Sequence, residues 1–179
     1  MKTIILFAML CFANKVTSQE KMICKSGIII FEASVPSFEE VKATNNSVTF
    51  VLNPVTGEIA SLALMKEFRF KIALMEEHFN ENYMETDQYP KAIFKGKIES
   101  FDAKNLTANT KDYTIKGTLE LHGKAKAISV IAKISKSASG IKIVSNFSVN
   151  ASDFDILIPS LVKSKVSNKI NIQLASFFR

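Results

Sequence analysis

Cysteine and histidine, which supply most protein zinc sites, are scarce in this chain of 179 residues. The cysteines are Cys11 and Cys24, and the histidines are His78 and His122. If residues 1–18 are removed, as the N-terminal pattern described below predicts, Cys24 is the remaining cysteine. That would exclude an internal disulfide and a cysteine-based zinc site.

A metal site built on histidine has little support either. Three glutamates stand close to His78 in sequence: Glu76, Glu77 and Glu81. A metal site needs several ligands in one place, whereas charges beside a histidine are ordinary on the solvated face of a helix. His122, which precedes a glycine, is interpreted as a hairpin residue. We therefore expect neither a metal nor another cofactor.

Apolar runs long enough to span a membrane as a helix, about 20 residues, are also missing. After Lys2, residues 3–13 (TIILFAMLCFA) carry no charge, and small residues follow at positions 16–18. This pattern predicts a cleaved signal peptide at residues 1–18 and an exported domain at residues 19–179. A lipid anchor on Cys11 is the alternative, which the bulky Leu10 before it disfavours.

Clusters of basic residues are absent as well. The formal net charge is +6, and removal of Lys2 and Lys15 with the signal peptide leaves +4 (6 − 2). The lysines are spread over the chain without interleaved aromatic residues, so nucleic-acid binding has no support. No linker, low-complexity tract or repeat divides the mature chain, whose length of about 160 residues suits one domain.

Catalytic motifs are missing too. The sequence has no nucleophile elbow, no phosphate-binding glycine loop and no HExxH zinc motif. Glu85 and Asp87, which stand two residues apart, are interpreted as turn and cap residues. We therefore predict that the protein is not an enzyme.

Alternation of apolar and polar residues fills much of the chain and predicts about eight strands. Their expected ranges are Ile28–Val35, Ser47–Leu52, Glu58–Phe70, Ala92–Phe101, Tyr113–Leu121, Ile128–Ile134, Ile141–Val149 and Ile170–Phe178. Because closure removes unpaired edges, we predict an all-β fold, an eight-stranded antiparallel lipocalin-like barrel, with a sandwich as the alternative. The interior of such a barrel is either filled by side chains or wide enough for one small ligand.

One segment shows helical spacing instead. Met75, Phe79 and Tyr83 share one face of a helix predicted near residues 73–82. The helix must end before Tyr89-Pro90, since proline disfavours helical geometry in the residue before it. A single helix between barrel strands lays its apolar stripe against the barrel or across its opening. We therefore expect it to act as a lid over one mouth.

Three segments carry a resemblance to a known family: residues 78–94 with the Tyr89-Pro90 turn, residues 117–123 (GTLELHG), and residues 147–154. Together they resemble the YceI-like family of exported lipocalin-like barrels, associated with binding polyisoprenoid and other long-chain lipids. The first segment resembles members from Bacteroidota-like bacteria, which implies the periplasm, with secretion as the alternative. The resemblance also implies an elongated barrel with a hydrophobic tunnel and no catalytic machinery.

The predicted ligand is an amphiphilic long-chain lipid of isoprenoid type, although a fatty lipid and a homodimer also remain open. The candidate ligand-binding residues are side chains expected to face the interior or the lid: Phe68, Phe70, Met75, His78, Phe79, Tyr83, Phe94, Ile98, Leu119, Phe147 and Phe154. A headgroup would lie at the mouth near Lys66, Arg69 and Lys71. The alternative is a structural or stress-related interaction protein whose barrel is fully packed.

Overall fold

Nine strands make up most of the computed structural model, which describes residues 21–179. Their bounds are β1 Met22–Ser34, β2 Lys42–Leu52, β3 Glu58–Leu64, β4 Arg69–Phe70, β5 Lys91–Ile98, β6 Lys111–Leu121, β7 Lys124–Ser137, β8 Gly140–Asn150 and β9 Val166–Phe178. One α-helix, α1, spans Ala73–His78. The predicted signal peptide and Cys11 lie outside the described residues.

Eight of these strands close into an antiparallel barrel. The neighbours follow the order β1, β9, β8, β7, β6, β5, β3 and β2, and β2 pairs with β1 to complete the ring. The two-residue β4 pairs only with the beginning of β2. The prediction of an eight-stranded barrel with one helix near residues 73–82 is therefore confirmed, and the sandwich alternative is wrong.

Because every pairing is antiparallel, the connections fall at two ends of the barrel. One end, here called the open end, carries residues 35–41, 65–90, 122–123 and 151–165. The opposite, closed end carries residues 53–57, 99–110 and 138–139. Side chains that are at most 1% exposed fill the closed end, including Leu52, Ile98, Ile134 and Phe178. Any large cavity must therefore lie towards the open end.

The first two strands begin earlier than the sequence pattern predicts. In β1 the pairing with β2 shifts register on both sides of Gly27, and these β-bulges interrupt the two-residue alternation. In β2 the polar Asn45 is fully buried, where its side-chain amide donates to the carbonyl of Leu64 at 3.0 Å and its oxygen accepts from the Ser47 amide at 2.9 Å. A buried asparagine with both groups paired is stable, but it looks like a loop residue in the sequence.

The segment between β3 and β5 is more divided than predicted. The expected strand to Phe70 breaks at Met65–Glu67, where a 3₁₀ turn precedes β4. After α1 the chain continues as a π-helical turn, Phe79–Tyr83, in which the Met84 amide donates to the Phe79 carbonyl at 2.9 Å. Among residues 21–179, no helix is long and apolar enough to cross a membrane.

Candidate binding cavity

The barrel interior holds a cavity of about 530 Å³ that extends towards the open end. This volume lies within the range of about 300–1,000 Å³ that is usual for small-molecule sites. Its wall is apolar except for a few polar side chains: Glu39, Ser61, His78, Tyr83, Ser145, Lys165 and Ser176. The site therefore suits a molecule that is mostly hydrocarbon.

Ten of the eleven candidate residues lie in the cavity wall: Phe68, Phe70, Met75, His78, Phe79, Tyr83, Phe94, Leu119, Phe147 and Phe154. Ile98 does not, and its place in the candidate site is corrected accordingly. It faces inward as its strand alternation predicts, but it lies at the closed end, 1% exposed within the packed core. Alternation gives the face of a strand, whereas the height along the barrel depends on the register of all its neighbours.

Four phenylalanines form an aromatic cluster where residues 73–83, here called the helical segment, meet the barrel. The ring of Phe79 lies 5.3 Å from Phe31, 5.1 Å from Phe70 and 6.0 Å from Phe68, measured between centroids. Phe31, on β1, also lines the cavity and is absent from the candidate set. The one sequence feature that could have identified Phe31 was its position in the predicted strand Ile28–Val35. The helical segment is thus fixed to the barrel wall by aromatic packing.

Phe94 occupies the space above two glycines that pair across neighbouring strands. Gly96 on β5 pairs with Gly117 on β6, and an added Cβ at either position would come within 2.6 Å of the Phe94 ring. Because the glycines lack a side chain, the ring can lie flat along the wall at this level. The glycines therefore set the shape of the cavity.

The expected basic cluster does not form the polar part of the mouth. Lys66 binds the Asp87 carboxylate at 2.6 Å and lowers the pKa of that carboxyl, and Arg69 binds Glu76 at 3.2 Å. Neither cation, nor Lys71, lines the cavity. The three residues lie in the connection 65–90 at the open end, but two of them are already paired and none borders the cavity, so the structure gives the headgroup interpretation no support.

The polar groups in the wall instead come from three other segments of the open end. Glu39 lies in the β1–β2 connection, His78 at the end of α1, and Lys165 in the β8–β9 connection. Deeper in the barrel, the Ser145 hydroxyl donates to the Ile131 carbonyl at 2.7 Å. Ser176 also lines the cavity, and its buried hydroxyl has no hydrogen-bond partner among residues 21–179.

His122 joins three segments of the open end. Its Nε2 lies 3.0 Å from the Glu85 carboxylate, its Nδ1 lies 3.1 Å from the Phe154 carbonyl, and its ring is 4.4 Å from the Tyr89 ring. Both polar partners are acceptors, so both contacts are hydrogen bonds when each ring nitrogen carries a proton. The sequence indicated only a hairpin residue. The observed contacts make His122 the link between the turn that follows the helical segment, the β6–β7 hairpin and the turn after β8.

Two ion pairs lie at the same junction. Lys124 lies 2.7 Å from Asp155, and Lys126 lies 2.5 Å from Asp153. The hydrogen bond from Lys126 lowers the pKa of the Asp153 carboxyl, and the hydrogen bond to Asp155 raises the pKa of Lys124. Exposed pairs of this kind contribute little stability singly. Both pairs join the beginning of β7 to the turn that begins the β8–β9 connection.

We expect His122→Ala to destabilise the protein by about 2 kcal/mol, because it removes two hydrogen bonds from a side chain that is 9% exposed. For a domain of this size that lowers the melting temperature by about 4–8 °C. The other histidine supplies the control, since His78 is exposed and its side chain has no hydrogen bond or ion pair among the described residues. Equal melting temperatures for His122→Ala and His78→Ala in thermal unfolding would contradict the linking role.

No three of the His, Cys, Asp and Glu side chains within residues 21–179 are grouped to hold a metal ion. Among the described residues, His78 is the one histidine in the cavity wall, and its ring makes no hydrogen bond or ion pair within residues 21–179. What the geometry provides is an apolar enclosure with a polar mouth.

Comparison with known proteins agrees with this architecture. A polyisoprenoid binding domain from Saccharophagus degradans, implicated in plant cell wall breakdown, superposes with a TM-score of 0.76 at 15% identity, covering 89% of this chain and 97% of that one. BcnA of Burkholderia cenocepacia gives 0.69 at 14%, covering 84% and 95%. A YCEI protein of Campylobacter jejuni gives 0.54 at 16%, covering 100% and 99%.

At these identities the likeness establishes the fold. A search of curated proteins found no significant match. The sequence does match the family model described as the YceI-like domain, over residues 28–177. Since this match covers nearly all of the barrel, the chain belongs to the YceI-like domain family.

Proposed function

We propose that this protein is an exported, non-enzymatic binding protein that holds an amphiphilic long-chain lipid of isoprenoid type in the barrel. The observation that carries the proposal is the cavity of about 530 Å³ with an almost entirely apolar wall. Hydrocarbon is the ligand chemistry that such a wall recognises. The fold neighbour described as a polyisoprenoid binding domain supports the isoprenoid class.

The energetics are adequate for a long chain. Each buried methylene contributes about 0.8 kcal/mol, so roughly ten of them supply about 8 kcal/mol before the costs of association. That corresponds to about micromolar binding. Polar groups of the ligand would lie at the mouth, where Glu39, His78 and Lys165 border the cavity.

A fully packed barrel, the alternative, does not fit the cavity. In that case the inward side chains would fill the interior, as they do at the closed end around Ile134 and Phe178. Towards the open end, large side chains such as Phe147 and Leu119 instead border unfilled space. The proposed compartment is the periplasm, reached through a signal peptide at residues 1–18, with secretion as the alternative.

The direct test is to identify what the protein carries. Protein purified without detergent from cells that express the full chain should retain a lipid through gel filtration, and native mass spectrometry followed by extraction should identify it. In a panel of isoprenoids, quinones and fatty acids, the bound class should raise the melting temperature. If no member is retained and none raises the melting temperature, the proposal is wrong. A turnover that survives purification but is lost in His78→Ala would contradict the non-enzymatic part.

A further inference from the structure

The connection between β8 and β9 exposes apolar side chains beside the cavity mouth. Residues 156–165 of this connection are here called the strap. Ile156, Ile158 and Val162 line the cavity, while Leu157 and Leu161 are 80% and 86% exposed. These are the most exposed large hydrophobic side chains among the described residues. The strap thus has apolar side chains both in the cavity wall and on the exposed surface.

A third exposed apolar side chain lies next to the strap. Ser34, at the end of β1, pairs with Val166 at the beginning of β9, so the β1–β2 connection and the strap are neighbours. Phe38 in that connection is 48% exposed and borders the same cavity. Phe38, Leu157 and Leu161 are thus exposed apolar side chains on two neighbouring connections beside the mouth, here called the apolar patch.

The charge of the strap itself is basic, whereas Glu39 and Glu40 lie in the neighbouring β1–β2 connection, where Glu40 is 3.7 Å from Lys42. From residue 156 to residue 170 the chain has Lys163, Lys165 and Lys169 and no acidic residue. Within residues 21–179, the ammonium groups of Lys163 and Lys165 have no ion-pair partner. Asp155, the acidic residue just before the strap, is already paired with Lys124. The lysines of the strap are therefore available to an external anionic surface.

We propose that the strap docks the mouth of the barrel onto an anionic lipid bilayer. Leucines that project beside lysines suit the boundary between acyl chains and headgroups, where the apolar side chains insert and the ammonium groups meet phosphates. The inference rests on the proposed function, because a lipid that passes between a bilayer and the cavity needs a path that excludes water. Docking by the strap places the mouth directly at that path.

The test is sedimentation of the protein with vesicles, using protein from cells that express the full chain and intact mass to check that all variants share one N-terminus. The vesicles are phosphatidylcholine, alone or with a third of phosphatidylglycerol. We expect binding to the anionic vesicles that weakens as salt is added. Leu157→Ser/Leu161→Ser should lower the partition coefficient about tenfold. Lys163→Glu/Lys165→Glu should lower it at least about tenfold.

Matched control variants keep the chemical change but move it away from the mouth. Val55→Ser/Ile131→Ser alters side chains that are 72% and 53% exposed, one in the β2–β3 turn and one on the outer wall. Lys104→Glu/Lys142→Glu makes the same charge change at exposed positions near the closed end. Both control pairs should bind vesicles like the unaltered protein. Losses equal to those of the strap variants would overturn the proposal.

Other outcomes of these experiments also bear on the proposed docking. Equal binding to neutral and anionic vesicles would overturn the anionic docking surface, as would binding to neither. If the leucine variant instead changes the oligomeric state in velocity sedimentation, the patch is a contact between copies and the proposal fails. Lipid retention in gel filtration is measured without vesicles. Retention with no vesicle binding would overturn docking alone, whereas vesicle binding with no retained lipid would support docking and contradict the proposed function.

Discussion

Replacement of Val130 by tryptophan is expected to abolish retention of a long-chain lipid, whereas replacement of its neighbour Ile131 is expected to leave retention unchanged. The two residues are adjacent on β7 and face opposite sides of the barrel wall. Val130 lines the cavity, and Ile131 is 53% exposed on the outside. The two variants therefore place a tryptophan on the same strand, in one case inside the proposed site and in the other outside it.

The expected effect is large because a tryptophan at position 130 takes the place of hydrocarbon. If it displaces three or four methylenes of the ligand, the loss is about 3 kcal/mol, or roughly a hundredfold in affinity. Retention in gel filtration and titration with a fluorescent long-chain lipid measure this directly. Ligands with shorter chains should lose less affinity, since they need not reach the obstructed level.

Folding of the cavity variant must be checked, because overpacking costs about 1–3 kcal/mol. Circular dichroism and thermal unfolding of Val130→Trp and Ile131→Trp serve this purpose. If Val130→Trp does not fold, Leu119→Phe offers a smaller enlargement in the same cavity wall. A folded cavity variant that retains lipid like the Ile131 control would show that the ligand does not lie in this cavity.

Replacement of Phe79 by alanine is expected to speed lipid release at least about tenfold. The ring of Phe79 stacks on Phe31 with centroids 5.3 Å apart and an interplanar angle of 26°, and it also contacts Phe70 at 5.1 Å. These contacts hold the helical segment against the mouth. A loss of about 1.4 kcal/mol from the closed position corresponds to a tenfold larger open population.

The same substitution should also lower stability, but by less than the 3–5 kcal/mol typical of a fully buried phenylalanine, since Phe79 is half-buried. Release must therefore be measured at a temperature where circular dichroism shows the variant folded, with a soluble acceptor such as cyclodextrin. Leu74→Ala is the matched control, because Leu74 is on the same helix and 57% exposed. If folded Phe79→Ala released lipid at the same rate as the unaltered protein, the aromatic cluster would have a role in packing alone, and the lid hypothesis would fail.

The sequence was most informative where the strand alternation is uninterrupted. From β6 to β9 each strand has one apolar and one polar face, and the predicted ranges lie inside the observed ones. Gly27 and Asn45 show where the pattern fails. A bulge at Gly27 shifts the period of β1, and burial of Asn45 places a polar residue in the core of β2. Both exceptions depend on contacts with other strands, which a local pattern does not contain.

The sequence predicted some residues of the candidate cavity correctly and others not. Residues that face inward were identified from alternation, and helical spacing identified Met75, Phe79 and Tyr83. Alternation did not distinguish Ile98, at the closed end, from Phe94 in the cavity wall, because both face inward on β5. Phe31 lies in a strand that the sequence predicted, but its contact with Phe79, which is distant in sequence, could not be read from the local pattern.

By itself, the sequence determined the class of this protein, an antiparallel barrel with one helical interruption and an apolar interior. Two-residue alternation and turn residues are local properties, and closure follows as an expectation because an open sheet would leave unpaired edges. Only the tertiary structure decided which end is open and which side chains meet there. Strand register brings Glu85, His122 and Phe154 together, although they are separated by more than thirty positions. It also places the strap beside Phe38 at the mouth, because the first and last strands pair when the barrel closes.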